Sequence, residues 1–255
     1  MTKCSCCIIG ILMVFVGLAT AGDWSIVRQA DWSNHFRDVT YADAQHAWAV
    51  GDLGVIAATS DGGKSWTPQR SGVTQNLQRV MFVDPKTGWV VGDGGIGLHT
   101  TDGGNTWQKQ EIGPADMTAI YFVDEKIGWA TGNSPTPLGS YGIIYCTTDG
   151  GATWEAQTVA ELAEHDLGLY DIYFTDVNTG WTVGGRESIS RGTAGQAAIL
   201  LTQDGGKTWT LQDADLRNPL FSVYFADSNT GWTFGLGAIW ETQDGGRTWE
   251  SMLPS

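Results

Sequence analysis

The chain reads as an all-β protein, a β-propeller of four-stranded antiparallel blades with five recognisable units. Three observations predict this. An eight-residue phrase occurs five times: TSDGGKSW at Thr59–Trp66, TTDGGNTW at Thr100–Trp107, TTDGGATW at Thr147–Trp154, TQDGGKTW at Thr202–Trp209 and TQDGGRTW at Thr242–Trp249. Its spacing of 41, 47, 55 and 40 residues is the period of a blade. A second phrase alternates with it: YADAQHAWAVG at Tyr41–Gly51, FVDPKTGWVVG at Phe82–Gly92, FVDEKIGWATG at Phe122–Gly132, FTDVNTGWTVG at Phe174–Gly184 and FADSNTGWTFG at Phe225–Gly235.

Each unit is then built in order. A first apolar strand ends at the aromatic-x-Asp, as in RVMFVD. A tight turn containing Lys-Thr-Gly or Asn-Thr-Gly follows, and a second strand runs through Trp-x-x-Gly. A third, such as GIGLHTT, enters the Asp-Gly-Gly turn. A fourth begins at the tryptophan of the box. Short strands divided by Gly, Asn and Asp are the hairpin signature, and four per unit make a propeller blade. Helical periodicity is confined to a weak trace in VAELAEHDL at 159–167.

The eight-residue phrase is an Asp-box. Asp61, Asp102, Asp149, Asp204 and Asp244 are expected to be structural, their carboxylates accepting N–H groups of their own turns. Their glycines permit positive φ. Ten of the 13 tryptophans occupy the two repeated positions and read as core. Trp32 and Trp240 lie outside the repeats, and Trp24 is box-like.

Residues 1–21 read as a secretory signal peptide and 22–255 as a single propeller domain. Lys3 precedes the apolar run Ile8–Leu18, and Ala19-Thr20-Ala21 offers a small-residue cleavage site. The run is short for a membrane span. Export to a periplasm, a thylakoid lumen or the extracellular space follows. Only Cys146 then remains, so no internal disulfide staples the ring. Cleavage removes Lys3 alone among the charged groups and takes the net charge from −14 to −15. That argues against nucleic acid or an anionic membrane as the main partner.

Trp24-Ser-Ile-Val-Arg resembles a fourth strand lacking its first three, an extra outer strand at the N-terminus. The last unit already has its own fourth strand at Trp249–Leu253. The extra strand either adds as a fifth, displaces the C-terminal one, or leaves the ring open to pair with another chain. Oligomeric state is therefore open.

No cofactor and no metal site is expected. Each box offers one carboxylate where calcium needs six to eight oxygens. His35, His46, His99 and His165 stand apart, without metal-ligand spacing. No nucleophile elbow is present. The acids Asp38 and Asp171 fall on inner strands with Arg79 at the same repeat position, and mutual neutralisation at the central channel is expected. An enzyme is not expected.

The repeats differ in their insertions. From the glycine of Trp-x-x-Gly to the box Asp takes 10, 10, 17, 20 and 9 residues. Loops are expected at Asn133–Gly142 and Gly185–Ala197, and another at Thr158–Gly168 between units three and four. In an up-and-down blade these emerge on one face, opposite the Asp-boxes. Loops held by a rigid scaffold are where binding residues gather. Tyr141, Arg186, Glu187 and Arg191 are the candidate partner-binding residues, since tyrosine and arginine predominate in binding hot spots.

The alternation of Phe-x-Asp-x-x-x-Gly-Trp-x-x-Gly with Thr-x-Asp-Gly-Gly-x-Thr-Trp resembles the photosystem II assembly/stability factor family over essentially the whole chain after residue 21. The resemblance implies an exported, non-enzymatic propeller of seven blades. It implies as partner a newly made membrane-protein subunit of the reaction centre. This chain departs in having five units and few arginines. The alternative is a sialidase-type exo-glycosidase or a carbohydrate-binding propeller, since the Asp-box is shared with glycosidases. The eight arginines do not assemble into the triad that site resembles.

Overall fold

A computed structural model describes residues 35–136, 139–157, 159–186, 195–212, 216, 218–235 and 238–252. It forms five four-stranded sheets, each in sequence order, with every neighbouring pair antiparallel. Blade 1 holds β1 (Phe36–Tyr41), β2 (Ala47–Gly51), β3 (Val55–Thr59) and β4 (Thr67–Arg70). Blade 2 holds β5 (Leu77–Phe82), β6 (Gly88–Gly92), β7 (Ile96–Thr100) and β8 (Gln108–Glu111). Blade 3 holds β9 (Asp116–Phe122), β10 (Gly128–Thr136), β11 (Gly139–Thr147) and β12 (Glu155–Gln157). Helix α1 (Ala160–Glu164) leads to blade 4: β13 (Gly168–Phe174), β14 (Gly180–Arg186), β15 (Gln196–Thr202) and β16 (Thr210–Leu211). Blade 5 holds β17 (Leu220–Phe225), β18 (Gly231–Gly235), β19 (Ala238–Thr242) and β20 (Glu250–Ser251). The proposed signal peptide and the extra strand at Trp24 lie outside the described residues.

The repeated phrases explain the local geometry. In each aromatic-x-Asp turn one carboxylate oxygen accepts two backbone N–H groups. Asp84 Oδ1 takes those of Lys86 and Thr87 at 2.6 and 3.0 Å, and Asp43, Asp124, Asp176 and Asp227 repeat the pattern. In each box the Asp accepts the threonine hydroxyl two residues before it and the N–H four residues after it. For Asp102 these are Thr100 Oγ1 at 2.8 Å and Thr106 N at 2.9 Å, with Thr106 Oγ1 on the other oxygen at 2.7 Å. Asp61, Asp149, Asp204 and Asp244 make the same set. These bonds favour the ionised form. The Ser65 hydroxyl and the Thr153 hydroxyl lead in holding Asp61 and Asp149 down at about 2.

The core lies between blades. Trp48, Trp89, Trp129 and Trp181 stack on Phe82, Phe122, Phe174 and Phe225 of the following blade, with centroids 3.5, 3.6, 3.6 and 3.5 Å apart. Each of these phenylalanines also meets its own blade's box tryptophan edge-on. The indole N–H reaches on to the first box glycine of the next blade, as Trp89 Nε1 does to Gly150 O at 2.9 Å. Aromatic stacking of this kind adds to the area each ring buries. Cys146 is half-buried rather than fully enclosed. Burial pushes its thiol upward, and Gln157 Nε2 donates to its sulfur at 3.4 Å.

Candidate functional site

The insertion in unit three is not a loop. It continues the hairpin of β10 and β11, pairing Asn133 with Gly142, Ser134 with Tyr141 and Pro135 with Ser140. Its Gly, Pro and Ser content reads locally as a turn, and a tertiary contact overrides that reading. Asn133 Nδ2 donates to Leu169 O at 3.0 Å, and Leu169 N donates back to Asn133 Oδ1 at 2.8 Å. Gly142 packs so closely on Leu169 that a Cβ would lie 2.3 Å from Leu169 Cγ. The hairpin is thereby fixed to the first strand of blade 4.

The chain between units three and four closes over the same place. Helix α1 is where the weak helical trace lay. It buries Leu162 in a cluster with Leu167, Leu169, Ile144 and Ile172. Gly142 N donates to Leu167 O at 2.8 Å. Glu161, Glu164 and His165 stay exposed on the outer side. The insertion in unit four leaves from β14, and there Arg186 Nη1 donates to His165 O at 3.1 Å. Arg186 Nε is buried with no hydrogen-bond partner among the described residues.

The unit-three hairpin, the connector and Arg186, where the unit-four insertion departs, therefore meet at the junction of blades 3 and 4. Arg186 sits against the connector, whereas Tyr141, partly buried, precedes Gly142 on β11 and so presents its side chain to the opposite sheet face, the side of Tyr145; the structure does not bring these two together. Glu187 and Arg191 lie outside the described residues. Asn133 and His165 are the members of this junction that sequence reasoning missed. A signal for Asn133 exists: it follows the repeated Trp-x-x-Gly, where blades 1 and 2 carry Asp52 and Asp93. Those two also bond neighbouring side chains, Asp52 to Arg37 and Asp93 to Asn76 and Gln78.

The central channel holds charges of a different kind. Arg79 on β5 lies 3.8 Å from Asp38 on β1 and 3.5 Å from Asp171 on β13. Asp38 Oδ2 accepts Val80 N, and Asp171 Oδ2 accepts Val223 N and the Ser222 hydroxyl. Each acid thus ties its own inner strand to the next. Burial pushes Asp38 upward despite the guanidinium beside it, and the two carboxylates raise Arg79 against its own desolvation. On the Asp-turn face, a cleft of about 520 Å³ between blades 3 and 4 is lined by Tyr121, Phe174 and Asp176 among others. Asp176 is its only acid, and one of that residue's oxygens already holds the turn. Among the described residues no group of His, Cys, Asp or Glu is placed to hold a metal ion, and no helix is long and apolar enough to cross a membrane.

Comparison with known proteins now adds to this geometry. Residues 17–164 match the sequence profile described as photosynthesis system II assembly factor YCF48. The solved YCF48 from Cyanidioschyzon merolae superposes with a TM-score of 0.56 at 17% identity, over 88% of this chain and 86% of that one. A solved YCF48 bound to D1 peptide matches at 22% identity over 89% of this chain and 84% of that one, with a TM-score of 0.47. An ancestral GH74 enzyme has a TM-score of 0.66 at 14% identity, over 85% of this chain but 31% of that one. At such identities the glycosidase likeness is one of fold. No curated protein matches the chain.

Proposed function

We infer the function from one premise: the chain belongs to the photosynthesis system II assembly factor YCF48 family. On that premise it is an exported, non-enzymatic scaffold that holds a protein partner, a newly made membrane-protein subunit, while a membrane complex is put together. Residues 1–21 are its signal peptide and 22–255 its single propeller domain. The Asp-boxes are structural. The working surface is the junction of blades 3 and 4 at their insertions, with Tyr141, Arg186, Glu187 and Arg191 as partner contacts.

One observation carries this reading. The unit-three hairpin and the connector before blade 4 are fastened to blade 4 and to each other through Asn133–Leu169 and Gly142–Leu167, and Arg186, where the unit-four insertion begins, bonds the connector at His165. Extra chain that merely tolerates growth has no need of such fastening. Arg186 reaches the connector through one Nη1 bond to His165 O, and a guanidinium is the group best shaped to fork onto a carboxylate or carbonyl. Against the glycosidase alternative, the channel acids Asp38 and Asp171 are occupied as cross-braces around Arg79. They are not free to act as an opposed acid and nucleophile.

The test shortens Gly185–Ala197 to the length found in blade 2. Far-UV circular dichroism and melting should stay close to wild type while capture of partner from membranes is lost. Capture equal to wild type, or hydrolysis of a glycoside by the intact protein, would sink the assignment. N-terminal sequencing of the exported protein checks cleavage before Gly22.

A further inference from the structure

Blades 3, 4 and 5 carry tyrosine at a position where blades 1 and 2 do not. The residue before the aromatic of each aromatic-x-Asp turn is Thr40, Met81, Tyr121, Tyr173 and Tyr224 in blade order. The three tyrosines form a row, with ring centroids 5.1 and 5.2 Å apart. In blade 2 the same position is used otherwise: the Met81 sulfur accepts Phe122 N at 3.1 Å. Burial raises the Tyr121 and Tyr173 phenols, so both rings stay neutral.

The row opens onto the Asp-turn face. The cleft of about 520 Å³ between blades 3 and 4 adjoins a second of about 360 Å³ that reaches blade 5. Tyr121, Phe174, Thr175 and Asp176 line both, so the two form one continuous groove. Tyr121 and Tyr173 give it an aromatic side. Asp176 and Asp227 line it as exposed carboxylates.

Charge on this face is uneven. Each of these two turns needs only Oδ1 of its aspartate, which accepts two backbone N–H groups. Those N–H groups hold Asp227 below the usual carboxylate range. In blades 2 and 3 a lysine, Lys86 or Lys126, stands two residues after the turn aspartate; in blades 4 and 5 that position is Asn178 or Asn229. Lys207 and Arg247 belong to box turns, between the third and fourth strands and away from the inner ones. Among the described residues no ion pair involves Asp176 or Asp227. A cation is drawn both to the face of a tyrosine ring and to a carboxylate. An anionic ligand would meet two like charges at the same place.

We propose that this groove binds a basic segment of a protein partner, seating an arginine or lysine head against Tyr121 and Tyr173 beside Asp176 and Asp227. It lies on the face opposite the insertions, so it is a second docking surface and does not rest on the first. The formal charge of −14 on the chain favours the approach of such a segment.

Fluorescence anisotropy of the full chain with a dye-labelled pentapeptide of alternating glycine and arginine tests this. The same peptide with glutamate for arginine is the control ligand. The arginine peptide should bind, more weakly as salt is raised, and the glutamate peptide should not. An Asp176→Asn/Asp227→Asn variant keeps the Oδ1 acceptor that each turn needs and removes both charges. It should bind the arginine peptide about fivefold or more weakly, at an unchanged circular dichroism spectrum. Tyr173→Leu keeps an apolar side chain and removes the ring, and should weaken binding about threefold or more. Asp84→Asn in blade 2, and the chain shortened at Gly185–Ala197, should bind as wild type does. No binding of the arginine peptide, equal binding of the glutamate peptide, or affinity unmoved by the double variant would overturn the proposal. So would displacement of the peptide by cellopentaose, because that would assign the groove to a neutral sugar.

Discussion

Asn133 and Leu169 exchange two hydrogen bonds across the junction of blades 3 and 4, at 3.0 and 2.8 Å. Leu169 is fully buried, so its N–H has no water to fall back on, while its carbonyl keeps a second donor in Thr118 Oγ1. Replacing Asn133 by alanine should therefore orphan one buried donor and cost about 1–3 kcal/mol. Urea unfolding measures this. The extended hairpin should loosen first, seen as faster exchange at Asn133–Gly142 than elsewhere.

Gly180→Ala tests the stacked junction from the other side. The added methyl would lie 2.5 Å from the Phe174 ring, which is itself stacked on Trp129. The ring has to leave its seat, and a loss of about 1–3 kcal/mol follows, as for other overpacked cores. Phe174→Ala should cost more, about 3–5 kcal/mol, because it opens a cavity beside Trp129 and Trp209. Melting temperature ranks the two.

The box aspartates make stability depend on pH. Asp61 and Asp149 sit at about 2, and Asp102, Asp204 and Asp244 are also lowered, by hydrogen bonds from their turns. A carboxylate lowered on folding contributes fully above its unfolded value of about 3.9 and loses that contribution as the pH falls through its folded value. The urea midpoint should be flat from about pH 7 to 5 and fall between about 4 and 2. Asp38, raised by burial, acts in the opposite sense and is one group against five. A midpoint that rises on acidification would contradict this account.

Asp102→Ala should cost about 1 kcal/mol, at the low end for hydrogen bonds because the turn is partly exposed. Partner affinity of the folded protein should not change, because the boxes lie on the face opposite the insertions. Loss of binding at an unchanged melting temperature would place the boxes in the interface.

Arg186→Ala should weaken partner binding about tenfold or more, the scale of a hot-spot residue. Its effect on melting should be smaller than that of Asn133→Ala, since one bond to an exposed connector is at stake. Arg186→Lys should not restore binding if the planar fork is what the partner reads.

The sequence by itself determined the blades. Asp-Gly-Gly and Asn-Thr-Gly turns are local chemistry, fixed by positive φ and by carboxylates that bond their own backbone, and five repetitions make them unambiguous. It also located the insertions and their common face, because up-and-down topology assigns every loop an end. Tertiary structure decided what the insertions became. Asn133–Gly142 looks like a loop, yet Leu169, 27 residues beyond Gly142, holds it as paired strand. Arg186 meets His165 for the same reason, through a connector that folds only because Leu162 and Leu167 find Leu169 and Ile144. The exposed stripe of Phe36, Val39 and Tyr41 was hidden as well, since its sequence matches strands that are buried in every other blade. Only the lack of a packed neighbour among the described residues sets it apart, and a neighbour is a property of the folded chain rather than of any segment within it.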